Sequence, residues 1–311
     1  MNKILKGTII LVILFLVFGT IVRFSEIFSG TQEEKTEDKG QVLIKEGKNE
    51  DEEDIKELAK ENWGWVNGQE KLYNLSSTKI NLILEEIQNR FPNTSDRLKA
   101  LSILRLNTPY KVGCLGEESG RDDDPIFRLD VADCTVFVLT NVALLHSQTV
   151  AEARGMMAIL NYQSDSDITF ENRLHFTINR NEVVRYFKDI TKQIGGLETE
   201  ERQVILNEEI KEKRLIDINW EKEITLEYIP NKYITKELFR DLPQAVGIAF
   251  IREGDEKIGL DIRHEGILFD GELFFHASSV QKKVVAEDFF EYYFQTNDIP
   301  RFDGITFFEI N

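Results

Sequence analysis

The chain has 311 residues, 41% hydrophobic and 30% charged, with 38 Lys and Arg against 55 Asp and Glu and a net charge of −17. That length allows one large domain or two small ones, and the acidity disfavours nucleic acid as a partner, because binding phosphates needs clustered basic side chains. Two cysteines, four histidines and no Cys-x-x-Cys pair argue against a disulfide scaffold or structural zinc, and no phosphate-binding Gly-Lys-Ser/Thr loop is present, so no metal or cofactor is expected.

Lys3 and Lys6 precede an uncharged apolar run from Gly7 to Val22. It marks residues 1–26 as a membrane-targeting segment, close to the minimum length for a bilayer span. With no small-x-small cleavage site close behind, an uncleaved anchor is favoured over a removed signal. The two lysines would stay inside, giving an extracytoplasmic protein held at the membrane through residues 7–22. Residues 27–62, centred on Glu50-Asp51-Glu52-Glu53-Asp54, form an acidic disordered linker with some helical pattern from Asp54 to Asn62.

A globular domain is expected over residues 63–311, from Trp63-Gly64-Trp65 onward. Helices are predicted from Ser76 or Ser77 to Phe91, and from Ser95 to Leu106. The turn Asn107-Thr108-Pro109-Tyr110 follows, then a loop containing Asp122-Asp123-Asp124, which without ligand-type spacing is better taken as solvated than as a cation site. Asp133-Cys134-Thr135 opens a helix with apolar side chains at Val136, Phe137, Leu139, Val142, Ala143 and Leu145. Thr149 caps another helix through Leu160, Ile168 to Phe176 alternates as a strand would, and Asn181 to Ile194 is helical. From Ile224 onward the pattern changes to strands at 224–229, 245–251, 259–269, 273–276 and 305–310, with helices at 235–242 and 286–294. Helices first and an antiparallel sheet after is an α+β arrangement.

Cys134 at a helix N-terminus is a candidate nucleophile, since unpaired backbone N–H groups there favour the thiolate. A lone cysteine on an apolar helix is also commonly a small buried hydrophobe, so a base must be found. His264 and His276 flank an Asp270-Gly271 turn, twelve residues apart (276 minus 264). A two-residue loop would send the two imidazoles to opposite faces. A three-residue loop, Phe269-Asp270-Gly271 with Gly271 left-handed, pairs them directly within about 5 Å. That register is the one predicted.

Asn107-Thr108-Pro109-Tyr110, Asp133-Cys134-Thr135 opening a helix, Arg173-Leu174-His175-Phe176, His264-x-Gly266-Ile267 and His276-Ala277-Ser278-Ser279 together resemble the NlpC-type papain-like cysteine hydrolases of bacterial cell walls. Within these, residues 75–311 most resemble the N-acetylmuramoyl-L-alanine amidase-like family. The resemblance implies a papain-like fold with a helical insertion between Cys134 and His264, and peptidoglycan or a muropeptide as substrate. It implies Cys134 as nucleophile, His264 as base, His276 as its orienting partner and Tyr110 beside the oxyanion. It also makes Arg173, His175 and Asp133 candidates for substrate binding. The chain departs from the family pattern near Leu139 in the Cys134 helix, where an acidic residue is expected, and after Arg173-Leu174-His175-Phe176, where an aromatic residue is expected and Thr177-Ile178-Asn179 stands. The alternatives are a stem-peptide endopeptidase of the same fold and a catalytically silent wall-binding module. Both cysteines are expected to be free thiols, because a Cys114–Cys134 bridge would remove the nucleophile.

Overall fold

A computed structural model describes residues 50–295 and 298–311. The expected membrane segment, and the linker up to residue 49, lie outside the described residues. Helix α1 (Glu50–Gly68) belongs to one unit, and residues 69–311 form a second. The last part of the expected linker, residues 50–62, is therefore helical, and α1 runs on through Trp63-Gly64-Trp65, where the globular domain was expected to begin. No helix among the described residues is long and apolar enough to cross a membrane.

The second unit opens with α2 (Ser77–Arg90) and α3 (Thr94–Leu104), the latter capped by Asn93, whose side chain accepts the backbone N–H of Asp96. The next helix, α4 (Cys134–Leu145), is the centre of the unit. Every residue from Val136 to Leu145 is buried, so a helix expected to bury one face is enclosed all round. It packs against α3, against α5 (Val150–Asn161) and against two sheet strands, β5 (His264–Phe269) and β6 (Leu273–Ser278). Its polar side chains bond to the helix's own carbonyls: Thr140 Oγ1 donates to Val136 O and Asn141 Nδ2 to Phe137 O. Leu139 is fully buried, so a carboxylate at this position would carry a high desolvation cost.

After α5 come α6 (Thr177–Val183), β1 (Phe187–Asp189), α7 (Thr191–Gly195), β2 (Glu200–Leu206) and β3 (Lys222–Pro230). β4 (Ala245–Ile251), β5, β6 and β7 (Lys283–Asp288) then form a meander. Helix α8 (Phe289–Tyr293), short β8 (Phe294–Gln295) and β9 (Ile299–Pro300), and β10 (Gly304–Ile310) complete the chain. The sheet runs β2-β3-β10-β4-β5-β6-β7 with antiparallel neighbours, and β1 adds to β10. The α+β arrangement with an antiparallel sheet is thus present.

Several local expectations give way to tertiary pairing. The connection from Cys134 to His264 is not a helical lobe, because β2 and β3 extend the sheet edge and β4 enters its centre. Residues 168–176 make one isolated bridge, Tyr162 with Arg173, because the segment folds back on itself through left-handed Asp165. Residues 181–194 are not one helix, since Phe187 pairs with Ile310 and packs its ring edge-on to Phe308. At 235–242 the helix shrinks to a 3₁₀ turn, Leu238–Asp241. At 286–294 the strand persists to Asp288, whose side chain then caps α8 by accepting the N–H of Glu291.

The β5–β6 turn is fixed at both ends. Asp270 and Gly271 both have positive φ (54° and 68°), and Glu272 N–H donates to Phe269 O. A Cβ on Gly271 would also come within 2.8 Å of Phe239 O, so both conformation and space select glycine. Lys99 of α3 reaches Asp270 at 2.6 Å, tying the helical layer to the hairpin. Replacing Leu139 by Ala should cost about 2–5 kcal/mol through lost burial and the cavity left behind. Denaturant titration of the purified protein should show a lower midpoint at unchanged slope.

Candidate active site

The N-terminus of α4 is built by Asp133. Its Oδ1 accepts the N–H of Val136 at 2.9 Å, and its Oδ2 accepts the N–H of Gly113 at 2.8 Å. Both carboxylate oxygens are therefore committed to backbone, one capping the helix and one tethering the preceding loop. Cys134 follows, half-buried, with the backbone N–H groups of Glu265 and Thr135 facing its sulfur. Burial, with Asp133 and Glu265 nearby, pushes its thiol up to about 12, and those two amides oppose the shift. The resting group is the neutral thiol.

The hairpin brings the two histidines together in a different register from the one predicted. Phe269 pairs with Leu273, and Ile267 with Phe275, so three residues, Asp270-Gly271-Glu272, separate the strands. Continued, this sets Gly266 opposite His276 and makes His264 its diagonal neighbour. The slip from the predicted pairing is two residues, which preserves the face. His264 Nε2 lies 2.8 Å from His276 Nδ1, and His276 Nε2 lies 2.8 Å from Glu287 Oε2. Gly266 makes room, since a Cβ there would fall 2.5 Å from the Phe274 ring that stacks on His276.

This chain of contacts fixes the proton positions. Glu287, held below the usual carboxylate range chiefly by its bond to His276, is an acceptor only. His276 therefore donates through Nε2 and accepts at Nδ1. His264 in turn donates from Nε2, leaving the lone pair on Nδ1, which has no partner among the described residues. Burial, with His276 and the cation Arg301 close by, holds His264 well below the ordinary imidazole value, so it is neutral. Gln281 Nε2 holds the other oxygen of Glu287 at 2.9 Å.

The strand bearing His264 is bolted to the helix bearing Cys134. Thr135 Oγ1 donates to Glu265 Oε1 at 2.7 Å, and Arg180 of α6 grips the same carboxylate with Nη1 at 3.2 Å and Nη2 at 2.8 Å. Arg180 and Glu265 are each only 1% exposed. Thr177 Oγ1 adds a contact at 3.3 Å, and Asp261 accepts the N–H of Ile178 at 2.7 Å. The residues that follow His264 and Cys134 in sequence thus meet at one buried carboxylate.

Tyr110 lies beside this centre. Its N–H donates to Lys282 O, its backbone bridges to Ala132, and burial with Cys134, Asp133 and Cys114 nearby raises its phenol. Arg173 and His175 lie elsewhere, lining a recess with Phe176 and Trp220. Arg173 is paired with Glu117 and Asp122, so its charge is already neutralised, and the acidic loop is ion-paired rather than simply solvated. His175 Nε2 contacts Phe170 O, and burial pulls its imidazole down to about 4. Neither Arg173 nor His175 touches Cys134, His264 or His276. Cys114 is a buried free thiol pushed up to about 12, and no group of acidic, His and Cys side chains among the described residues could hold a metal.

Four site residues were not anticipated: Glu287, Arg180, Glu265 and Tyr292. The Tyr292 ring lies 4.7 Å from His276 and 6.2 Å from His264. Glu287 had a legible signal, because alternation after the Ser278-Ser279 turn puts Val285 and Glu287 on one face of a third hairpin strand. Arg180 and Tyr292 had none, since each meets the site only through tertiary packing.

The family model described as AmiA-like, N-acetylmuramoyl-L-alanine amidase-like, matches residues 100–299. A crystal structure of a Legionella pneumophila protein superposes with a TM-score of 0.63 at 23% identity, covering 75% of this chain and 94% of that one. An N-acetylmuramoyl-L-alanine amidase from Bacteroides uniformis superposes with a TM-score of 0.55 at 19% identity, covering 70% and 99%. At these identities the likeness is one of fold. No curated protein matches the chain in sequence.

Removing one partner of the buried pair leaves the other charge uncompensated, so Arg180→Met should destabilise by about 3–5 kcal/mol. Thr135→Val, which leaves Arg180 on Glu265, should cost about 1 kcal/mol. Thermal unfolding of the two variants checks the order. Iodoacetamide attacks only the thiolate. A raised thiol value extends the neutral form to higher pH, so the alkylation rate of Cys134 should still be climbing above the ordinary cysteine value of about 8.5. Mass spectrometry of the modified peptide against pH gives the curve.

Proposed function

Because the chain belongs to the N-acetylmuramoyl-L-alanine amidase-like family of cell-wall hydrolases, we propose that it cuts the amide between N-acetylmuramic acid and L-alanine in peptidoglycan or muropeptides, using Cys134 as nucleophile on a papain-like, NlpC-type fold. The observation that carries this is the hydrogen-bonded series Glu287, His276, His264, which leaves His264 Nδ1 as a lone-pair base at the strand end beside Cys134. A neutral thiol and a neutral imidazole suit proton transfer during attack, as opposed to a preformed ion pair.

In this mechanism His264 Nδ1 takes the thiol proton as Cys134 sulfur adds to the lactyl carbonyl carbon. The oxyanion is stabilised by the Cys134 N–H and the Tyr110 hydroxyl. Collapse breaks the C–N bond, and His264 returns its proton to the departing alanine nitrogen. A water then loses a proton to His264 and adds to the thioester, releasing the muramoyl carboxylate and the thiol. Glu287 and His276 stabilise the imidazolium in both halves and keep the lone pair on Nδ1. The uncharged run over residues 7–22 supports an extracytoplasmic position at the membrane.

Digestion of purified muropeptides followed by mass spectrometry is the test. Wild-type protein should release peptides with a free N-terminal L-alanine, and Cys134→Ala should release none. Products cut within the stem peptide would identify an endopeptidase instead. Wild-type and Cys134→Ala proteins that bind muropeptides equally and leave both uncut would identify a binding module. Glu287→Gln should lower kcat by about 10- to 100-fold while leaving KM within a few-fold, because it weakens charge stabilisation in the transition state only. The acid limb of kcat/KM should lie below the ordinary imidazole value of about 6.5, because the lowered His264 value keeps the base neutral to lower pH.

A further inference from the structure

Among the described residues, most arginines of this acidic chain are paired with carboxylates; Arg97, Arg105, Arg185, Arg252 and Arg301 are bonded to neutral groups instead, and of these Arg301 and Arg252 lie on the aromatic rings beside the site. Arg301 donates Nε to Tyr292 O at 3.0 Å and lays its guanidinium over the Tyr292 ring at 4.7 Å. Its two terminal nitrogens have no partner among the described residues. Arg252 donates Nη2 to the backbone O of Arg301 at 3.1 Å and faces the Phe302 ring at 5.6 Å. The Tyr292 ring that carries Arg301 is 4.7 Å from the His276 ring and 6.2 Å from that of His264. The nearest acidic group of the site, Glu287, is committed to His276 and Gln281. A half-buried guanidinium with one face on an aromatic ring and a free edge has the geometry that receives a carboxylate bidentately.

We propose that Arg301, with Arg252 behind it, is a carboxylate subsite that holds an acidic group of the stem peptide while the scissile amide sits at Cys134. This deepens the amidase proposal and rests on it. The cation has a cost at the same centre, since its charge disfavours protonation of His264 and His276. An anionic substrate group would offset that charge when it binds, making the imidazolium easier to form only when the correct substrate is present.

The test uses the full chain carrying Cys134→Ala, titrated calorimetrically with an N-acetylmuramoyl peptide whose peptide carboxylates are free, and with the same compound amidated. The free acid should bind about 10- to 100-fold more tightly than the amide. Adding Arg301→Gln should weaken the acid to the level of the amide and leave the amide unchanged, while Arg301→Lys, which keeps the charge, should recover part of the difference. Amidating one carboxylate at a time identifies which is held. Equal binding of acid and amide, an acid preference that survives Arg301→Gln, or no binding of either compound would overturn the subsite. Wild-type protein that prefers the acid through Arg301 yet leaves it uncut would overturn the amidase proposal and leave the subsite standing.

Discussion

The carboxylate of Glu265, buried and gripped by Arg180, is the constraint on which the site depends. Glu265 follows His264 on β5, and its other bond goes to Thr135, which follows Cys134 on α4. One interaction therefore sets the separation of two groups that lie 130 residues apart in sequence (264 minus 134). Such a pair contributes little net stability against an apolar replacement, because desolvation offsets most of the attraction. Its value is geometric: an unpaired charge in this position is costly enough that other spacings of helix and strand are excluded. The apolar packing around α4 supplies the stability, and the ion pair supplies the register.

The electrostatics of the centre follow from the same burial. Burial, with Asp133 and Glu265 nearby, raises the Cys134 thiol, and burial, with His276 and Arg301 nearby, depresses His264, so the proposed nucleophile and base are both uncharged at rest. The helix N-terminus alone would favour the thiolate. Here the capping carboxylate and the loss of water outweigh it. Glu287 sets the direction of every hydrogen bond in the series, which is why this third carboxylate decides which nitrogen of His264 keeps the lone pair.

Much of this was legible in the sequence, for physical reasons. The apolar recurrence after Asp133-Cys134 marked a helix, though with one buried face where the structure buries it all round, and the strands after Ile224 announced themselves by alternation. The face shared by His264 and His276 depends only on the parity of the loop, so it survived a wrong register. What was hidden depends on long-range pairing. Phe187 joins a strand to β10 within a stretch of helical pattern, and Arg180 reaches Glu265 from 85 residues away in sequence. Arg173 and His175 sit together as the motif implied, but their positions relative to the sulfur are decided by the ion pairs of the 113–125 loop, which no spacing rule describes.

The assignment of Cys134 as the nucleophile of a muramoyl amidase can be read from its covalent intermediate. Acid quenching during turnover of a muropeptide, followed by proteolysis and mass spectrometry of the peptide containing Cys134, identifies the acyl group. The mechanism predicts a muramoyl thioester on Cys134, with the lactyl carbonyl attached to sulfur and no amino acid retained. A peptidyl group on Cys134, or a muramoyl group on any other residue, would contradict it.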